Sequence, residues 1–104
     1  MANTTIPEYL LTDRHWAALI HLFSNHYKLE SVFTTKYFDM ENVEVKAQSL
    51  KRTAAPWSQS EKFMLNLALH LFNESNKVNL GDMDYLDVEN RKLAFEAMEI
   101  RFGF

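Results

Sequence analysis

The run from Ser58 to Asn73 limits what this chain can fold into more than any other stretch. Ser58 and Glu61 have the spacing of a capping box, in which each side chain satisfies a backbone group left open at a helix start. Met64, Leu67, Ala68 and Leu71 share one face of the helix, and Phe63, Leu65, Leu69 and Phe72 cover most of the remainder. A helix apolar on nearly every side must be enclosed by protein. It is therefore expected to be the central post of a small helical domain, or half of a contact between two copies.

The rest of the composition agrees with a helical domain. The chain has 104 residues, a single-domain length, and 47% of them are hydrophobic, enough for a modest core. Only two glycines and two prolines occur, too few for a turn-rich β-sandwich. There is no cysteine, which removes disulfides, thiolate metal sites and thiol nucleophiles and suits a reducing compartment. The start, residues 1–10, lacks the basic and apolar segments of a secretory signal, and no apolar run is long enough to span a membrane. A cytoplasmic location is the expectation.

Along the chain, residues 1–11 read as an irregular arm that Ile6, Tyr9, Leu10 and Leu11 could dock on the core. A first helix is expected from Thr12 or Asp13, with Trp16, Leu19, Ile20, Phe23 and Tyr27 on one stripe. Residues 30–55 are ambiguous. The stretch from Ser31 to Phe38 mixes β-branched and aromatic residues and could form a strand, Tyr37, Met40 and Val43 also fit a helical stripe, and Glu44 to Arg52 could be helical. Pro56 ends whatever precedes it. Trp57 is placed to staple the first turn of the central helix. Asn73 to Lys77 closes that helix, Asn73 being tolerated in the left-handed conformation. A last helix is expected from Asp84, with Met83 stapled to Val88, or from Asp87. Leu86, Leu93, Ala94, Ala97, Met98 and Phe102 form its apolar side, widened by Phe95 and Ile100. The fold class is thus all-α, one domain over 1–104, with a short irregular or β segment within 30–55.

Few residues carry chemistry. His15 and His26 lie about three turns apart on one helix face, too far along the axis to share an ion, and no histidine pair has metal spacing. His70 is expected to be hydrogen-bonded in or near the core. The acids Asp82, Asp84, Asp87 and Glu89 do not match a calcium loop and suit helix capping and dipole compensation. Lys46, Lys51 and Arg52 near Trp57 could meet nucleic acid. The net charge of −3, all of it arising from Glu74 onward, disfavours that reading. No nucleophile elbow, phosphate loop or dinucleotide turn occurs, so no enzyme, catalytic residue, metal or cofactor is expected.

The C-terminal two thirds has a cadence of Tyr37-Phe38-Asp39, Trp57, Ser60, Leu67-Ala68, Leu71-Phe72-Asn73, Leu86-Asp87, Asn90, Ala94, Ala97 and Ile100-Arg101-Phe102. This resembles a family of short, functionally uncharacterised proteins encoded by phages and prophages of Gram-positive bacteria. The resemblance implies a helical fold and a mobile-element origin, and it brings no catalytic residues. Short phage proteins usually act by binding. The leading expectation is a non-enzymatic binder of a bacterial protein, such as an inhibitor of host or defence machinery. Its contact residues would be Asp82, Asp84, Tyr85, Asp87 and Glu89, with exposed aromatics at Tyr37 and Phe38. A self-associating structural protein is the alternative, and a small nucleic-acid binder is a third reading.

Overall fold

The computed structural model describes residues 7–74 and 76–103. The expected docking of Ile6, and Ser75 in the closing loop, lie outside them. The chain forms α1 (Glu8–Leu11), α2 (Arg14–Asn25), α3 (Tyr27–Glu30), β1 (Phe38–Asp39), β2 (Glu44–Val45), α4 (Ala47–Thr53), α5 (Gln59–Phe72), a 3-10 helix (Leu80–Tyr85) and α6 (Val88–Phe102). It is the expected small, mostly helical domain. No helix among the described residues is long and apolar enough to cross a membrane.

Two helices share the centre. α5 packs against α2, α3, α6 and the 3-10 helix, while α2 packs against α1, α3, α5 and α6. The capping box forms as the spacing predicts, with the Ser58 amide donating to Glu61 Oε1 at 3.0 Å and the Glu61 amide donating to Ser58 Oγ at 3.3 Å. Phe63, Met64, Leu65, Leu67, Ala68, Leu69 and Leu71 are all buried. Each large one removes enough apolar surface to contribute roughly 1.5–3 kcal/mol. The chain's own helices therefore enclose α5. Trp16 of α2 meets Phe72 edge-on with ring centroids 5.0 Å apart, joining the two central helices.

α6 lies along the same pair. Ala94 and Ala97 are fully buried, and their small size lets α6 approach closely. His21 of α2 meets Glu96 of α6 at 3.0 Å. Arg101 donates from Nε to the Leu71 carbonyl at 3.0 Å, so a cation sits on the open carbonyl end of α5 as well as in the last turn of α6. Gly103 ends α6 with φ of 72°, the left-handed conformation that glycine adopts without steric cost.

Several expectations need correction. The arm is not irregular throughout: α1 is a helical turn that buries Leu10, while Tyr9 and Leu11 stay exposed. The first stripe ends early, because α2 stops at Asn25 and His26 turns the chain into α3. Tyr27 therefore leaves the stripe and faces solvent. His26 accordingly lies outside the helix that carries His15. Asn73 is extended, with φ of −146°, not left-handed. α6 starts from Asp87, so Met83 lies in the 3-10 helix and is not the residue before its cap.

The ambiguous segment resolves into a small hairpin followed by α4. Phe38 pairs with Val45 and Asp39 with Glu44, antiparallel. Phe23, Phe33 and Phe38 form a mutual aromatic cluster with centroids 4.8–5.9 Å apart. Residues 31–37 run as turns rather than the strand that Ser31 to Phe38 could have formed, and the aromatic cluster fixes where the short strand at Phe38 begins. The turn is closed by the Asp39 carboxylate, which accepts from the Asn42 amide at 3.1 Å and from its Nδ2 at 2.7 Å.

Candidate functional site

The acidic stretch between α5 and α6 is built by two caps. Asn79 accepts from the Gly81 amide at 3.0 Å and starts the 3-10 helix. Leu86 is buried and pins the connection to the core. Asp87 then accepts from the Asn90 amide at 2.8 Å and starts α6. These anchors hold Asp84, Tyr85, Asp87 and Glu89 exposed on ordered backbone, with Asp82 half-buried. Asp82 and Tyr85 line an open cleft of about 330 Å³ together with Gln59, Lys62, Phe63 and Asn66 of α5.

A second part of the surface was not expected from sequence. Tyr27 is 71% exposed, its ring stacks on His26 with centroids 5.1 Å apart, and its hydroxyl donates to Glu61 Oε2. That bond, with the Ser58 amide on the other oxygen, holds the Glu61 carboxyl below the usual carboxylate range. The same carboxylate raises the Tyr27 phenol above its ordinary value, with the charge of Asp87 adding to the effect. Glu61, Asp87 and Tyr27 are thus electrostatic neighbours where α3, α5 and α6 begin.

His26 sits beneath them. Its Nδ1 accepts from the Lys28 amide at 3.2 Å and the Leu29 amide at 3.5 Å, capping α3. Its Nε2 is buried without a hydrogen-bond partner. Burial lowers its pKa, opposed by the charges of Glu61 and Asp87 and by the side chain of Asn90.

The structure divides the expected contact residues. Asp82, Asp84, Tyr85, Asp87 and Glu89 stay together on one surface, with Asp87 also engaged as a cap. Tyr37 and Phe38 do not join them. Both are buried: Phe38 in the aromatic cluster, and Tyr37 with its hydroxyl 2.9 Å from Thr53 Oγ1. Their hairpin turns them inward, so the expectation that they are exposed is wrong. Tyr27 takes the aromatic place they were expected to fill. The sequence hint was a helix-breaking Asn25-His26 pair directly before it.

Other candidate groups are engaged elsewhere. His70 Nδ1 lies 2.8 Å from the Asn76 carbonyl, a hydrogen bond of the kind the sequence led us to expect. Lys51 donates to Asn76 Oδ1 at 3.0 Å, Arg52 donates to Ser49 at 3.2 Å, and Trp57 is covered by the Lys28 ammonium 5.6 Å from its ring centre. An apolar groove of about 290 Å³ runs between the ends of α5 and α6, rimmed by Leu80 and Phe102. Among the described residues no group of three His, Cys, Asp or Glu side chains is gathered closely enough to hold a metal ion.

No family model, curated protein or solved structure matches this chain.

Proposed function

We propose that this protein is a non-enzymatic binding domain that presents the acidic surface at the start of α6 to a basic partner protein of a bacterial host. The carrying observation is two exposed tyrosines, Tyr27 at 71% and Tyr85 at 57%, in the part of the surface that carries Glu61, Asp82, Asp84, Asp87 and Glu89. Tyrosine offers a large, stiff contact area, and aromatics are enriched in interfaces. Caps and the Glu61 bond hold the backbone and Tyr27 in place, so little freedom remains to be lost on binding. Carboxylates around the aromatics would steer a cationic surface into contact. A nucleic-acid-binding protein has such a surface, and occupying it would inhibit that protein. The mobile-element origin implied by the resemblance fits this role. A catalytic role draws no support from the carboxylates whose pKa values depart from the ordinary. Asp39 and Glu61 both move down, away from the range of a general acid at neutral pH.

The test is capture from bacterial lysate on immobilised protein, read by quantitative mass spectrometry. Wild type is compared with Asp84→Lys/Glu89→Lys, which spares the capping Asp87. One basic protein held in near-stoichiometric amount by wild type, and reduced at least about tenfold by the variant, is the expected result. Equal capture by both, or no captured protein, would overturn the reading.

A further inference from the structure

α6 carries apolar residues on two sides, and only one side is covered. The exposed residues of this helix are Val88, Glu89, Arg91, Lys92, Phe95, Glu99 and Phe102. Val88, Phe95 and Phe102 are spaced seven apart and are 71%, 55% and 56% exposed. Seven-residue spacing places them within about 20° of one line along the helix, the seam by which one helix packs on another. Buried Ala94 and Ala97 face the core, so Val88 and Phe95 stand on the opposite side from the packing against α2 and α5, while half-exposed Phe102 closes the seam at its far end and also rims the groove beside α5.

We propose that this outer face of α6 is the contact between two copies of the chain, packed antiparallel about Phe95. Two-fold pairing centred there sets Phe95 on Phe95 and Val88 against Phe102 of the second copy. The flanking charges then match. Lys92 lies three residues before the centre and Glu99 four after it, at axial offsets of about 4.5 and 6 Å. Both project to the same side of the seam, so Lys92 of each copy lies beside Glu99 of the other. The pair occurs twice by symmetry, as a self-complementary contact requires. A parallel pairing would set Glu99 against the positions of Ala94 and Arg101, which face inward, and would align the helix dipoles.

The area sets the strength. Three half-exposed to largely exposed side chains offer about 300 Å² of apolar surface per copy. With the stems of Arg91, Lys92 and Glu99 added, the contact reaches about 1,000 Å² in total, the size of a weak specific interface. The dimer is therefore expected to dissociate in the micromolar range. The seam adjoins the acidic surface at Val88, but Asp84 lies in the 3-10 helix before α6, so Asp84→Lys leaves the seam untouched.

Sedimentation equilibrium of the full chain from about 5 to 500 μM tests this. Wild type should move from the 12.2 kDa chain mass toward twice that value. Phe95→Glu should stay at the chain mass, with an unchanged circular dichroism spectrum because Phe95 is exposed. Lys92→Glu and Glu99→Lys should each weaken association roughly three- to tenfold, and the double variant should recover most of it. A wild type that stays monomeric throughout would overturn the proposal. So would association that survives Phe95→Glu, or single charge reversals that the double variant does not rescue.

Discussion

α5 and α6 are the two longest helices, at 14 and 15 residues, and both carry large apolar side chains. α5 buries seven hydrophobic residues, whereas α6 buries only Ala94 and Ala97 and leaves Val88, Phe95 and Phe102 outside. The same kind of residue thus builds the core in one helix and a surface in the other. What differs is enclosure. α5 is covered by α2, α3, α6 and the 3-10 helix, while α6 packs against α2 and α5 on one side. Apolar residues on an enclosed helix report stability, and those on a half-covered helix report an unfilled surface.

The largest expected effect sets the two helices against each other. Leu67→Ala in α5 should cost about 2–5 kcal/mol in urea unfolding, since it empties a fully packed site. Phe95→Ala in α6, measured at low micromolar concentration, should change stability by no more than about 0.5 kcal/mol. Similar losses would erase the contrast between the helices.

Capping should not distinguish them. Ser58→Ala and Asp87→Ala each remove a side-chain acceptor from a helix start, and each should cost about 1 kcal/mol by the same measurement. A markedly greater loss at Ser58 would show that its link through Glu61 to Tyr27 adds to the cap.

The third effect lies where the two helices begin. Burial holds the His26 pKa below its ordinary 6.5, so below that pH the unfolded chain takes up a proton more readily than the folded one. The stability His26 supports is complete above about pH 6.5 and is lost as pH falls through the lowered folded value. Glu61 and Asp87, facing the imidazole from α5 and α6, limit the loss. His26→Asn keeps a cap acceptor and removes the titration. Its stability between pH 5 and 7 should be flatter than that of wild type. Glu61, whose pKa is also lowered, acts in a separate window, at and below 4.5.

The sequence made α5 legible because its start is written in local chemistry and its enclosure in composition. Asp87 and the acidic stretch were readable for the same reason: caps are local. Tyr37 and Phe38 were not. Their place depends on Phe23 and Phe33, which reach them only through the fold, and exposure cannot be inferred from aromatic character alone. Tyr27 failed in the opposite sense, since one broken turn at His26 moved it from an apolar stripe to the surface. Of the outer seam of α6, Phe95 was read as extra width, Val88 as a staple partner and Phe102 as part of the inner side, although Phe102 is half-exposed. Which side of that width is covered is a tertiary fact.

Amide hydrogen exchange at two protein concentrations, about 5 and 500 μM, tests the contrast between the helices most directly. Protection of Phe63 to Leu71 should already be high at the lower concentration, where the chain is largely a single copy, because the chain's own helices enclose α5. Protection around Phe95 should rise at the higher concentration as the second copy covers the seam. Weak protection of α5 at about 5 μM, or no rise around Phe95 at about 500 μM, would contradict the account.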